Sequence, residues 1–339
     1  MKKIISLILV LCLMATLCVA FASCTASKES NGNDSTGGTA KKVYKVGICQ
    51  LVQHDALDAA TKGFIDTLKA ELGEENVEFY NENASGETST CTTIITNFVS
   101  KKVDLIMANA TPALQAAVAG TEEIPILGTS ITEYGVALEL DNFDGLIGSN
   151  VSGTSDLAPL DEQAKMITDL FPEAEKVALL YCSAEPNSAY QVKEIRRLLV
   201  AGGIADANIK DYTFTDSNDV ATVSAAAAAF ADVIYIPTDN TAASCTETIN
   251  GQIGDTPLIA GESGICGGCG VATLSIDYYD LGVATAKMAA KILKGEAKIE
   301  EMRIEYAAQA TKKYNAEKCA QLGIDVEALK ALGYVALGE

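Results

Sequence analysis

Two scarcities in the 339-residue sequence exclude several classes of function. Histidine occurs once, at His54. A metal centre built from several histidines is therefore excluded, and a Ser-His-Asp triad could use only that residue. Basic residues are also scarce, because 25 Lys and Arg stand against 45 Asp and Glu, for a net charge of −20. This balance argues against nucleic acid as a partner, because a phosphate-binding face needs clustered basic side chains.

The composition otherwise suits a well-packed globular protein. Hydrophobic residues make up 48% of the chain and charged residues 21%, and the length is enough for two domains of ordinary size.

The first residues have the pattern of an export signal. Two lysines precede an apolar run over 4–22, and Cys24 follows directly on small residues. We interpret 1–23 as a signal peptide that resembles those of bacterial lipoproteins, with Cys24 as the lipidated residue and 24–42 as anchor and flexible tether. An uncleaved membrane anchor is the alternative, since the run is nearly long enough to span a bilayer. Both interpretations leave the rest of the chain outside the cytoplasmic membrane.

Two stretches of like construction organise the remaining chain, DLIMANATP at 104–112 and DVIYIPTDN at 232–240. Each begins with an apolar run typical of a strand covered on both faces, and each ends in small polar residues before a predicted helix. Further apolar strands flank both copies. The sequence therefore predicts an α/β protein of two Rossmann-like lobes with parallel sheets, whose strand ends face a ligand cleft between the lobes.

The expected limits of the lobes imply more than one crossover. Lobe 1 is predicted to comprise 43–150 plus about 278–310, and lobe 2 to comprise 151–277 plus about 311–339 as a second-lobe or hinge-associated segment. A fifth strand is predicted over 146–151 and the next helix over 156–171. Lobes joined by several short linkers can close on a ligand by rotating about a hinge.

Short segments in a characteristic order resemble a known family over nearly the whole chain after the tether. These segments are 47–50, 54–58, 110–113, 148–153, 180–182, 185–188, 237–240, 277–279, 281–282 and 322–324. Together they resemble the solute-binding lipoproteins of ABC importers, in the tryptophan/tyrosine-type group, which have the type I periplasmic binding protein fold. The loop 129–132 departs from the family, which often has Asp-Pro there.

The resemblance implies a non-enzymatic receptor. It implies capture of a small amino acid-like solute, aromatic above all, hinge closure and delivery to the permease subunits of the importer. We expect a monomer that reaches the membrane through its lipid anchor and has no metal or cofactor. A nucleoside or sugar receptor of the same fold is one alternative. An amino-acid racemase-like enzyme is another, because 244–247 resembles a racemase cysteine motif, although no second cysteine lies near 109–111.

An amino-acid zwitterion needs donors for its carboxylate and acceptors for its ammonium group. Thr111 is predicted as the cap of one helix and Ser188 at the start of another, where N–H groups are free for a carboxylate. Asp239 is the expected ammonium partner, with a plain helix cap as the alternative role. Tyr181 is a candidate for stacking, because the chain has no Trp. The predicted ligand-binding residues are Gln50, Gln53, His54, Thr111, Ser130, Tyr181, Asn187, Ser188, Asp239 and Glu262.

The pair Cys266 and Cys269 is compatible with a redox or zinc site. No further ligands lie at a suitable spacing to complete such a site. A glycine-rich loop that happens to carry two cysteines is the favoured interpretation.

Overall fold

The computed structural model describes residues 42–307 and 309–338. The predicted signal peptide and Cys24 lie outside the described residues. The strands are β1 Tyr44–Gln50, β2 Val77–Asn83, β3 Leu105–Asn109, β4 Ile126–Ile131, β5 Val151–Ser155, β6 Val177–Cys182, β7 Ile209–Phe214, β8 Val233–Ile236, β9 Leu258–Ala260, β10 Ala272–Ser275, β11 Glu305–Tyr306, β12 Thr311–Tyr314 and β13 Val335–Ala336.

The α-helices follow in the same chain order. They are α1 Asp55–Leu72, α2 Thr88–Lys101, α3 Thr111–Gly120, α4 Tyr134–Ala137, α5 Leu160–Leu170, α6 Pro186–Ala201, α7 Val220–Phe230, α8 Asn240–Ser244, α9 Thr246–Ile253, α10 Ser263–Cys269, α11 Tyr278–Leu293, α12 Ala316–Leu322 and α13 Val326–Ala331.

The strands form two sheets with matching order. The first sheet runs β2-β1-β3-β4-β5-β11 and is parallel throughout. The second runs β7-β6-β8-β9-β10-β12-β13, and its one antiparallel pair is β10 with β12. Both sheets therefore repeat the doubly wound order 2-1-3-4-5, which confirms the predicted fold class of two Rossmann-like lobes.

The central strands are buried because helices cover both faces of each sheet. Every residue of β3 (LIMAN) and β8 (VIYI) is buried, as their unbroken apolar runs predict. The two faces of the first sheet pack into separate apolar clusters, and those of the second sheet do the same.

The chain crosses between the sheets three times in the described residues, after β5, after β10 and after β11. After the second crossover α11 returns to pack against α1 and the first sheet. The residue limits of the two lobes remain a prediction, but the boundary expected at residue 150 does not fit the pairing of the strands. Val151–Ser155 pairs with β4 and so belongs to the first sheet, beyond the expected boundary at 150.

Three local predictions were wrong. The fifth strand begins at Val151, where the prediction had it end. Helix α5 begins at Leu160 and not at 156, because the residue before Pro159 is disfavoured in helical conformation and forces the start beyond the proline. Helix α3 begins at Thr111 itself, with Ala110 in the cap position at φ 88°, so Thr111 is not the cap.

No helix among residues 42–307 and 309–338 is long and apolar enough to cross a membrane.

Helices α1 and α11 pack so closely that a glycine is needed at their contact. A Cβ atom on Gly282 would lie 2.0 Å from the Ala60 carbonyl oxygen. We therefore expect Gly282→Ala to lower the free energy of unfolding by about 2 kcal/mol or more, because backbone cannot move aside as a side chain can. Chemical denaturation measures the change.

The matched control is Gly251→Ala in α9. A Cβ atom there has nothing within 4 Å. This variant should be unchanged or slightly stabilised, since alanine favours a helix over glycine. Equal losses in the two variants would contradict the close packing of α1 against α11.

Candidate ligand-binding site between the lobes

The loops that follow the carboxyl ends of the central strands meet between the two sheets. His54, after β1, lies beside Asn240, after β8: His54 Nε2 is 3.3 Å from Asn240 Oδ1. Asp55 and Gly264 approach one another in the same region, where a Cβ on Gly264 would be 3.6 Å from Asp55 Cβ. The cleft predicted from the strand ends is thus formed by residues of both lobes.

Six of the nine buried polar atoms without a partner in the described residues belong to these loops or strand ends. They are His54 Nδ1, Asn109 Oδ1, Ser130 Oγ, Asp156 Oδ1, Asn187 Oδ1 and Ser263 Oγ. A buried polar atom without a hydrogen bond is costly, so such atoms are rare in a folded protein and their concentration in one place needs a reason. We refer to these six atoms as the polar belt.

Ser130 is the member of the belt whose backbone is most unusual. Its φ is 55°, in the left-handed region that residues other than glycine seldom adopt, and the pairing of β4 with β5 is irregular at this point. The side chain is buried, and its hydroxyl is left with no partner. Strain of this kind is concentrated at binding and catalytic sites.

His54 is partly buried and reaches across the cleft. Because Asn240 Oδ1 can only accept, the contact at 3.3 Å requires the proton on His54 Nε2. In the neutral ring Nδ1 is then an acceptor that nothing in the described residues satisfies. A donor on a ligand could occupy that position.

The other predicted residues of the first lobe divide between the interior and the surface. Gln50 is buried and turned toward α1, where it donates to Asp58 Oδ1 at 2.6 Å and accepts from the Thr61 hydroxyl at 2.6 Å. Gln53 is exposed. Thr111 is buried at the start of α3. Of these three, Thr111 is the one placed at a helix N-terminus facing the strand ends.

In the second lobe, Asn187 and Ser188 lie in the first turn of α6 and are buried. The Asn187 amide donates to the Thr238 carbonyl at 3.0 Å and leaves its own oxygen in the polar belt. The Ser188 hydroxyl lies close enough to the Asp239 carboxylate to favour its ionised form. Both side chains are therefore at the cleft, and only that of Asn187 has an unfilled acceptor.

Asp239 is fully engaged by its own lobe. Oδ1 accepts the Ala242 N–H at 2.8 Å and caps α8, and Oδ2 accepts the Cys182 N–H at 2.7 Å. Burial, with the nearby charge of Glu185, raises the pKa of Asp239 to about 7. The contacts are those of the cap that was the alternative role in the sequence prediction.

Glu262 has the same arrangement at the start of α10. Its two oxygens accept the Gly264 N–H at 2.7 Å and the Ile265 N–H, and burial raises the pKa of Glu262. Tyr181 is half-buried on the face of β6 that packs against the second-lobe core, near Asp211 and Arg196. Neither side chain contributes an unfilled polar atom to the cleft.

Sequence reasoning missed Glu185, which joins two loops of the second lobe. Its Oε1 accepts the Thr241 N–H at 2.9 Å and hydroxyl at 2.8 Å, and its Oε2 accepts the Asn240 N–H at 3.0 Å and side-chain amide at 2.7 Å. These bonds orient Asn240 toward His54. The residue stood within the segment 185–188, but as a surface-type acid beside a proline it carried no signal of burial.

Three further residues at the cleft were not among the predicted ligand-binding residues. They are Asp156, Ser263 and Asn109. Asp156 is 3% exposed and follows β5 at the first crossover. Its Oδ2 accepts the Tyr278 hydroxyl at 3.0 Å, and burial raises the pKa of Asp156 to about 6. Placing this residue in a predicted helix obscured its position at the cleft.

A cavity of about 470 Å³ opens between the two lobes, and none of the six residues of the polar belt is among those that line it. On the first lobe it is lined by Leu51, Val52 and Pro112, and on the second by Cys182, Ala184 and Glu185, among others. Its size is within the range of small-molecule sites.

The cysteines form neither a disulfide nor a metal site within the described part of the chain. All seven are free thiols there, and no group of three or more His, Cys, Asp or Glu could hold a metal ion. Cys266 and Cys269 are buried in helix α10, so the expected glycine-rich loop was wrong, and burial raises the pKa of both thiols. Protonated, buried thiols are poor nucleophiles and poor ligands.

Two lobes of matching topology, with a polar cleft at their strand ends and three crossovers, define a type I periplasmic binding protein. The model of the ABC transporter substrate binding protein family matches residues 45–331. The chain belongs to this family.

Individual relatives agree with the assignment. The tyrosine-binding protein of Clostridioides difficile (strain R20291) is 33% identical over 303 residues, which cover 87% of this chain and 85% of that protein. An ABC domain from Streptococcus pneumoniae in complex with L-Trp is 30% identical, with a TM-score of 0.81 over 87% of this chain and 100% of that chain. The ligand-free, open structure of a Clostridium difficile substrate binding protein with adhesive properties is 32% identical. Its TM-score is 0.65, over 87% of this chain and 99% of that chain.

The raised pKa of Asp239 predicts that stability declines with rising pH. A carboxyl group whose pKa is 3.8 when unfolded and about 7 when folded holds its proton more tightly in the native state. Its contribution is fully present below about pH 4 and is lost as the pH rises through 7. We expect the unfolding free energy of the wild type, minus that of Asp239→Asn, to fall by on the order of 1–2 kcal/mol from pH 5 to pH 8.

Urea denaturation at the two pH values measures this difference. Asp161→Asn, at an exposed position in the first turn of α5, is the control and should follow the wild type at both. A difference in unfolding free energy that stays constant with pH would show that burial does not raise the pKa of Asp239.

Proposed function

We propose that this protein captures an aromatic L-amino acid, tryptophan or tyrosine, outside the cytoplasmic membrane and delivers it to the permease of an ABC importer. The observation that carries the proposal is the polar belt, in which both lobes leave buried polar atoms unfilled at the strand ends. A small polar ligand between the lobes would supply the missing partners and would hold the lobes together.

The chemistry of the belt suits a zwitterion. Asn109 Oδ1, Asn187 Oδ1 and Asp156 Oδ1 are acceptors of the kind an ammonium group requires, while the Ser130 and Ser263 hydroxyls can donate to a carboxylate. The start of α3 at Thr111 adds free N–H groups on the same side of the first lobe.

The arrangement of the lobes also supports ligand capture. This chain is about equally identical to the L-Trp-bound structure and to the ligand-free, open one, at 30% and 32%, yet the TM-scores are 0.81 and 0.65. We infer that the lobes are in the closed arrangement that a ligand stabilises. The bond between His54 and Asn240 joins the two lobes in this state.

Aromatic amino acids are favoured by the relatives. One is called a tyrosine-binding protein and another was solved with L-Trp. The racemase-like alternative finds little support, because Cys245 lies between α8 and α9 and the facing strand end at 109–111 carries no cysteine.

The ligand proposal is tested by a thermal-shift screen of the purified protein with the twenty L-amino acids, nucleosides and simple sugars. A ligand that binds only the folded state raises the melting temperature, and at 100 times its Kd it adds about 2.7 kcal/mol. We expect the largest shifts from L-tryptophan and L-tyrosine. A shift from sugars or nucleosides alone would replace the proposal with the corresponding receptor.

Paired serine variants locate the binding site within the same experiment. Ser130→Ala should weaken the binding of the best amino acid by about tenfold, the value of one buried hydrogen bond. Ser224→Ala is the matched control, because Ser224 is equally buried and its hydroxyl is also without a partner, but it lies in α7 away from the cleft. Equal affinities in both variants would remove Ser130 from the site.

The export-signal pattern and the tether in the sequence support a receptor on the outer side of the membrane, with Cys24 as the proposed lipidation site. We expect Cys24→Ser to release the protein from the membrane fraction into the medium or periplasm, because a lipid chain is then missing. Fractionation and metabolic labelling with palmitate measure the change. A wild-type protein that takes up no label would contradict the lipid anchor.

We also expect the released, soluble form to be a monomer in size-exclusion chromatography.

A further inference from the structure

Four acidic side chains are buried in the described part of the chain, and one of them has an oxygen that no donor reaches. Glu185, Asp239 and Glu262 each receive backbone N–H groups on both oxygens. Asp156 accepts the Tyr278 hydroxyl on Oδ2, and its Oδ1 has no partner. The Thr132 hydroxyl lies close enough to lower the pKa of Asp156, yet it does not reach Oδ1 with hydrogen-bond geometry.

An ionised carboxylate in this position is unstable without a positive partner. A buried charge costs several kcal/mol unless it is paired and hydrogen-bonded. The charged group that acts on Asp156 from the second lobe is Glu262, a further acid that makes ionisation harder. A cation beside Oδ1 would therefore stabilise the ionised form of Asp156. The other three buried acids already have a donor on each oxygen.

The position of Asp156 connects it to both lobes and to the hinge. It follows β5 at the first crossover, and Tyr278 is the first residue of α11 after the second crossover. The Tyr278 hydroxyl also lies close to the side chain of Thr238, just after β8 in the second lobe. Asp156 thus lies where the loops after β4, β8 and β9 approach the crossovers.

We propose that Asp156 Oδ1 binds the ammonium group of the amino-acid ligand, in the role that the sequence suggested for Asp239. This inference rests on the proposed function. The ammonium group supplies the missing charge and fills the vacant acceptor. Because Asp156 and Tyr278 lie on two crossovers and are bonded to each other at 3.0 Å, a ligand held there ties both linkers to the closed arrangement.

The titration of Asp156 gives the inference a second readout. Burial raises the pKa of the empty site to about 6, and an ammonium group beside Oδ1 would lower it. Affinity should then decrease as the pH falls through 6, since the acid must lose its proton to bind. The titratable groups that face Asp156 are Tyr278, Tyr134 and Glu262; both tyrosines have a pKa raised well above 10 and stay neutral.

The first experiment is calorimetric titration of L-tryptophan and L-tyrosine into wild type, Asp156→Asn and Asp277→Asn. Asparagine keeps the shape and the acceptor for Tyr278 but carries no charge, so Asp156→Asn should lose about thirtyfold or more in affinity and most of its dependence on pH between 5 and 7.5. Asp277→Asn is the matched control, because Asp277 is an exposed acid next to Tyr278 whose capping role asparagine can fill. It should bind within about threefold of wild type.

The outcomes separate this inference from the function on which it rests. A wild type that binds neither amino acid overturns both. A wild type that binds, with Asp156→Asn within threefold of it, overturns the assignment of Asp156 alone. If Asp156→Asn does not fold, a crystal structure of the wild type with L-tryptophan decides: an ammonium nitrogen within hydrogen-bond distance of Asp156 Oδ1 supports the proposal, and one bonded elsewhere overturns it.

Discussion

The cleft of this protein depends on one constraint, that a carboxylate buried between two lobes must be satisfied by donors. Three buried acids in the second lobe meet it with backbone N–H groups. Asp239 and Glu262 cap α8 and α10, and Glu185 binds the first residues of α8. Each bond fixes a loop at a strand end, so the second lobe presents a rigid face to the ligand. Rigid, pre-ordered groups lose little entropy on binding, which favours affinity for a small molecule.

On its side of the cleft, the first lobe has buried polar atoms that lack a hydrogen-bond partner. Ser130, Asn109 and His54 each contribute a buried atom without a partner, and Ser130 and Ala110 also have positive φ. Unfilled polar atoms and strained backbone both cost stability in the empty closed state. A ligand that satisfies them recovers that cost, and the closed arrangement is then favoured only when the cleft is occupied. This coupling is what a receptor needs in order to present loaded and empty forms to its transporter.

Much of this arrangement could be predicted from residue patterns. VIYI and the first four residues of LIMAN are apolar and buried, as predicted, and the polar residues at or just after the ends of these strands lie at the cleft. The sequence also indicated that Asp239 and Glu262 each follow a strand and precede a helix, as they do in the structure, but it did not resolve their roles. A capping acid and a ligand-binding acid have the same local sequence, since both follow a strand and precede a helix, and they differ only in whether N–H groups already fill their oxygens.

The amino-acid sequence by itself determined the two doubly wound lobes, the hinge that several crossovers imply and the edge of each sheet where the cleft lies, because these follow from local periodicity and from the order of strands and helices. Only the tertiary structure decided which polar side chains are satisfied and which are not. Asp156 and Glu185 show the reason: each meets its partners across more than fifty positions of sequence, at Tyr278 and at Asn240 and Thr241, and no local pattern records such a meeting.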